Sequence, residues 1–428
     1  MYSRIARVCK NDKGGPHKWQ NKWTTYIKTR LNCSVGGDFP FYFNEIQGTS
    51  STIIDTKDGD KLIYGVFTTP ENSMAGSAVC AFRLSDIEKS FNGQFKSQAN
   101  SNANWLPVRD TNIPQGTTRP GSCQADSTEL SESHLNFIKS HSLMDEAVDN
   151  IYTEPLYVKT SLNERLTNIA VDPNVRTPAD DKTYDVMYVG TTKGKVLKVV
   201  NVETGYDINK GVSRRKPVVI EEMQVFPYHV PVANVQVVQP KNSNYKKLVV
   251  LSDHEVKALP LHWCNAAQVQ SCKACVGLQD PHCAWNLNLG RCVDSTQFNT
   301  TDASALLQDL VRGKHLACSG EQVSTTSYIG NNKEKKNEEK DAEIATNEIS
   351  QDSDIKEQAS GDNKETESQE EIDVIIEFNV DENEIPYAEG NFNFLWKTIC
   401  LDNIFLFNLC NFKFANFHVY LFAIQVKQ

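Results

Sequence analysis

Six cysteines fall within residues 264–318: Cys264, Cys272, Cys275, Cys283, Cys292 and Cys318, half of the chain's twelve. A stretch this short has too small a core to hold itself together, and modules of that size usually need disulfides or a metal. The cluster therefore decides the compartment: three disulfides in an oxidising one, or metal ligation in a reducing one. The spacing is C-x7-C-x2-C-x7-C-x8-C-x25-C. Zinc is the rival reading, with Cys272-x2-Cys275 and the nearby His282-Cys283 as ligands. Zinc modules usually pair one C-x2-C knuckle with a second, and this stretch has no second knuckle. Two N-glycosylation sequons, Asn32-Cys33-Ser34 and Asn299-Thr300-Thr301, also point to secretion. Disulfides are the favoured reading, with an intracellular zinc-binding adaptor as the remote alternative.

Charge is unevenly distributed. Residues 331–384 hold 19 acidic and 6 basic side chains, so the rest of the chain carries 38 basic against 35 acidic, a balance of +3. The folded part is close to neutral, which argues against nucleic acid as a partner. The first residues, MYSRIARVCKND, show no basic n-region, apolar h-region or cleavage site. With the signs of secretion elsewhere, that suggests a fragment or a wrong start site.

Residues 1–260 read as β structure. Lys61–Leu84, Tyr184–Val202 and Lys246–Leu261 each show an apolar β-rich run, a turn or loop, and a second apolar run. In the middle one, Lys193-Gly194 can supply a hairpin turn. The runs begin at Leu62, Val186 and Leu248, which are 124 and 62 residues apart. That spacing suggests a repeat of β units, as in a propeller, while a plain β-sandwich explains the local patterns equally well. Residues 86–155 read as an insertion. SDIEKSFNGQF predicts a helix capped by Ser85, SHLNFIKSHSLMDEAV a second helix, and the polar stretch between them a loop pinned through Cys123. Phe41, Phe43 and Ile46 predict a strand with one buried face. Arg214-Arg215-Lys216 reads as a solvated loop, with protease cleavage as the alternative.

Residues 320–384 have the composition of a disordered acidic linker, which cannot bury enough apolar surface to offset its ordering entropy. Residues 385–428 form an apolar tail, with eight of the nineteen Phe after residue 390. Lys397, Asp402, Lys413 and Lys427 interrupt it, and the longest uncharged run is the thirteen residues Phe414–Val426. Spanning a membrane takes roughly twenty. A membrane segment is thus doubtful, and an aberrant C-terminus fits the composition better.

One string is more specific. LHWCNAAQVQSCKACVGLQDPHCAWN…GRC resembles the cysteine-rich PSI module of plexins, semaphorins and integrins, with His282 where that motif usually has Tyr. Upstream, SRIARVCKNDKGG, RLNCS, FYFNEIQ, LIYGVF, SAVCAF, RPGSC and FIKSHSLMDE resemble, in order, the second half of a semaphorin sema domain. The chain is most similar to invertebrate transmembrane class 1 semaphorins. Secreted class 2 members carry an immunoglobulin domain where this chain has the acidic linker.

The resemblance implies an all-β fold: the C-terminal blades of a seven-bladed sema propeller over residues 1–260, about three or four of them. A disulfide-rich PSI module (261–319) and the disordered tail follow. It implies the pairs Cys9–Cys123, Cys33–Cys80, Cys264–Cys283, Cys272–Cys318 and Cys275–Cys292. It places Phe41, Phe43 and Ile46 near a possible dimer contact, with core packing as the simpler role, and it lets Trp285 pack on the disulfides. Functionally it implies a non-catalytic extracellular or cell-surface guidance ligand. The partners would be a plexin receptor of class A type and a second copy through the sema domain, with no cofactor, no metal and no nucleic acid. Membrane attachment stays open. A truncated fragment that does not signal is the other reading. No catalytic motif such as G-x-S-x-G or H-E-x-x-H occurs in the sequence.

Overall fold

The computed structural model describes residues 2–318, apart from 52–53, 57–58, 117, 153, 208–211, 242, 244 and 299, together with 372–377. Four mainly antiparallel sheets follow one another along the chain, and a small three-stranded module follows them. In the first sheet Arg4–Cys9 pairs with Ile27–Asn32, and Leu143–Met144, Phe95–Gln98 and Trp105–Pro107 extend it outward. The second is the meander Glu45–Thr49, Lys61–Thr68, Gly76–Arg83 and Tyr157–Thr160. The third runs Leu166–Thr177, Lys182–Thr191, Lys195–Asp207 and Val212–Gln224. The fourth is Asn234–Val238, Lys247–Leu251 and Val256–Pro260.

Three apolar clusters lie between successive sheets. Phe67, Phe82 and Phe95 belong to the first, Tyr64, Val79 and Leu197 to the second, and Tyr188, Phe226 and Leu248 to the third. A strand buried on both faces reads as a continuous apolar run rather than an alternation. KLIYGVFT, GSAVCAFR and KVLKVV are such runs, and burial covers nearly every residue of the first two. All three hairpins expected from sequence are present as antiparallel pairs. In the middle one Gly194 has φ +70°, and a Cβ there would meet the Phe226 carbonyl oxygen at 2.6 Å, so only glycine fits.

Several local expectations change. The first helix is Leu84–Phe91, with Arg83 at the N-cap position and no side-chain cap bond. Ser85 instead donates from Oγ to Asp60 Oδ2 at 2.6 Å, tying the helix to the second sheet. The second helix, Glu132–Ser140, is capped by Ser131, which accepts from the His134 amide. It stops there because Leu143–Met144 pairs with the first sheet. Phe41 and Ile46 do not share a strand. Phe41–Tyr42 pairs with Ser34–Val35 and Glu45–Thr49 with Lys61–Thr68, the break falling at Phe43-Asn44. Arg214-Arg215-Lys216 lies in the strand Val212–Gln224 rather than in a loop, with the Arg215 guanidinium 4.4 Å from the Tyr152 ring centroid.

The acidic linker is corrected at one place. Ile372–Glu377 forms a strand antiparallel to Arg4–Cys9, with Arg4 opposite Glu377 and Cys9 opposite Ile372. Within an acidic segment, IDVIIE is locally rich in β-branched residues, and a strand edge offers unpaired backbone groups to such a sequence. The rest of 320–384, and the tail 385–428, lie outside the described residues.

Candidate protein interaction surface

Five disulfides join ten cysteines: Cys9–Cys123, Cys33–Cys80, Cys264–Cys283, Cys272–Cys318 and Cys275–Cys292. The first ties the end of Arg4–Cys9 to the inserted loop, and the second links the first sheet to the second. In the module, Trp285 packs on Cys264, Cys275, Cys283 and Cys292 with Val269, a core made largely of sulfur. His262, Cys264 and Cys283 bring potential ligand atoms within 4.8 Å of one another. Because Cys264 and Cys283 are bonded to each other, neither offers a thiolate, and zinc ligation there is excluded.

Exposed aromatic side chains gather beside the first sheet. Phe39 is 95% exposed, and Phe41, Tyr42 and Tyr2 are also exposed. The Arg30 guanidinium lies over both Tyr2 and Tyr42, at 4.2 and 4.9 Å from their ring centroids. Phe41 stands edge-on to Phe43 at 5.3 Å, and Phe43 is 2% exposed. Of the three residues considered for a dimer contact, Phe43 and Ile46 are therefore core, and only Phe41 reaches the surface. Rigid aromatics around an arginine are what interface centres are enriched in. Asn32, at the end of Ile27–Asn32, donates from Nδ2 to Asp149 Oδ1 at 2.6 Å, and a sugar on that nitrogen would still leave one hydrogen for the bond. Asn299 lies outside the described residues.

A second feature joins the module to the third sheet. Lys198 Nζ donates to Asp280 Oδ2 at 2.5 Å, with both side chains nearly inaccessible. His282 Nε2 lies 3.0 Å from Asp172 Oδ2, and its Nδ1 lies 3.1 Å from Asp280 Oδ1. Lys246 Nζ donates to the other Asp172 oxygen at 2.5 Å. The pairing register shifts just after Asp172 and again just after Lys198. Both residues keep the alternation of their strands, Lys198 sharing the face of Val196 and Val200 and Asp172 that of Ala170, and on that face they meet the module. Burial pushes the Asp280 carboxyl up, but the Lys198 charge and the His282 hydrogen bond outweigh it and hold the group well below the usual carboxylate range. Asp172 is likewise pushed up by burial and then held low by hydrogen bonds from His282 and Lys246. Apolar contact adds to the seam, since Leu310 packs on Val200 and Val202. Sequence reasoning did not find this network. Its one visible signal is Lys198, a charge set inside the apolar run KVLKVVNV.

Residues 46–239 match the Sema domain family and residues 264–319 the Plexin repeat family. The chain belongs to the semaphorin family. Semaphorin-1A of Schistocerca americana is 49% identical over 326 residues, covering 75% of this chain and 43% of that protein. Semaphorin-1A of Drosophila melanogaster is 46% identical over 336 residues, covering 76% of this chain and 36% of that protein. This semaphorin chain thus spans about two fifths of the length of the curated relatives it matches. The solved extracellular domains 1-2 of Drosophila Semaphorin 1a align with a TM-score of 0.66 at 47% identity, over 74% of this chain and 61% of that one. A chain in the structure of Drosophila Plexin A in complex with Semaphorin 1b aligns with a TM-score of 0.65 at 45% identity, over 72% of this chain and 59% of that one. The four sheets are accordingly part of a sema β-propeller, and the cysteine-rich module is a plexin repeat. Among the described residues, no helix is long and apolar enough to cross a membrane.

Proposed function

We propose that this chain acts as an extracellular or cell-surface guidance ligand that binds a plexin receptor of class A type. The observation that carries the reading is its 45% identity to a chain of the Plexin A–Semaphorin 1b complex. The function is recognition without chemistry. A disulfide-stapled scaffold holds its surface residues in place before contact, so little ordering entropy is lost on binding. Two copies of the ligand bring two receptors together, and linked sites raise avidity without new contacts. The aromatic edge of Phe39, Phe41 and Tyr42 is the surface we assign to the second copy.

The test is binding of a secreted, tagged form of the chain to cells with and without a class A plexin at their surface. Saturable binding only on plexin-bearing cells is the expected result. Equal staining of both cell types overturns the reading. The variant F39A/F41A is expected to shift the ligand toward monomer in sedimentation and to weaken cell binding through lost avidity.

A further inference from the structure

Both ring nitrogens of His282 face carboxylate oxygens, Nε2 toward Asp172 on the third sheet and Nδ1 toward Asp280 in the module's own loop. A neutral imidazole has one N–H and one lone pair, so it can donate to only one of them. The other contact would then set a lone pair against a carboxylate where burial leaves the repulsion poorly screened. Only the imidazolium donates at both ends.

Lys198 and Lys246 match Asp280 and Asp172 in number, so the two ring contacts, not the charge count, decide the state of His282. Glu221, half-buried on Val212–Gln224, adds a further acidic group near Asp280 and Lys198. On the remaining side the ring of His262 stacks on that of His282 at 5.5 Å, and its own Nε2 is turned to Asp294 at 3.4 Å.

We propose that the seam is a proton-operated lock: protonated His282 holds the cysteine-rich module on the third sheet, and loss of that proton releases it. Above about pH 6.5, where a freed imidazole is neutral, the closed seam binds one proton more than the open one, so opening is favoured as pH rises; below that both states carry the proton and the preference levels off. Histidine is the side chain suited to this, because its charge ordinarily changes between about pH 5 and 8.

The experiment uses the full chain labelled with nitrogen-15 in its histidines. The ring nitrogen shifts of His282, assigned by their loss in H282Q, report its protonation directly. Amide hydrogen exchange at 278–284 and 170–174, corrected for intrinsic rates, reports opening. The expected result is imidazolium shifts at the acid end of a series from about pH 5.5 to 9. Above about pH 6.5, for as long as the closed seam keeps its proton, opening should rise about tenfold per pH unit, the slope of one proton. H282Q should open more readily at every pH and lose that slope. Neutral-tautomer shifts with a closed seam throughout, a flat wild-type profile, or an unchanged slope in H282Q each overturn the proposal. If H282Q does not fold, the two histidines at the seam are distinguished by H262Q, and the wild-type shifts and exchange decide.

Discussion

Replacing Lys198 with Met keeps the length and apolar stem of the side chain and removes only its charge. In the folded chain Asp280 is 4% exposed, and its Oδ2 takes its hydrogen bond from Lys198 Nζ at 2.5 Å. Its Oδ1 is already occupied by the His282 amide at 3.0 Å and by Nδ1 at 3.1 Å, so no nearby donor is spare. K198M therefore strands half of a buried carboxylate. Breaking one partner of a buried ion pair costs about 3–5 kcal/mol. At roughly 2–4 °C per kcal/mol for a unit of this size, the midpoint should fall by roughly 6–20 °C. D280N alone strands Lys198 instead and should cost a similar amount. K198M/D280N removes both charges, and its cost should be smaller than the sum of the singles by about 0.5–3 kcal/mol. Urea unfolding with disulfides intact, followed by the fluorescence of Trp263 and Trp285 beside the seam, measures all three variants. Additive costs, or K198M within about 1 kcal/mol of the parent, would refute the claim that this pair is coupled and buried.

Asp172 and Asp280 both titrate lower in the folded chain than in the unfolded one. They contribute stability above about pH 4, and that contribution disappears as the pH falls through the folded values, so D172N should flatten the acid limb of the stability profile. Removing Cys9–Cys123 as a serine pair frees a loop with a sequence separation of 114 residues. The chain-entropy relation puts that loss at about 4.8 kcal/mol, readable in the same urea assay. F43A should cost about 3–5 kcal/mol as a core truncation, whereas F41A should leave stability nearly unchanged and alter only self-association in sedimentation. If F41A destabilises as much as F43A, the aromatic edge is core and not a contact surface.

The hairpins were legible because each strand is a run of β-branched and aromatic residues bounded by a turn, as in KLIYGVFTTP and YVGTTKGKVLKVV. The cysteine module was legible because its covalent chemistry is written in one residue type. The seam was not. Asp172 and His282 are 110 positions apart, and no local propensity marks their meeting. Ser85 shows the same limit at short range. It has the chemistry of a helix cap, yet Asp60, 25 positions upstream, offers it a charged partner, and the helix begins two residues earlier than a cap at Ser85 would allow. The FYFNEI stretch misled through its even spacing, since Phe43 turns inward at the break between two short strands.

The two disulfides of the propeller are nested, Cys33–Cys80 inside Cys9–Cys123. Of these four cysteines Cys9 emerges first in synthesis, and it meets Cys33 and then Cys80 before its own partner exists. Cys123 follows Cys80 by 43 residues, or about 2–9 s at ordinary elongation rates of roughly 5–20 residues per second. Over that interval three of these four cysteines are present, and Cys33 can be captured by the wrong neighbour. Correct assembly therefore rests on the inner hairpin closing early enough to withdraw Cys33 and Cys80 from exchange. The yield of secreted protein should consequently be limited by thiol–disulfide isomerisation in the secretory pathway rather than by propeller stability.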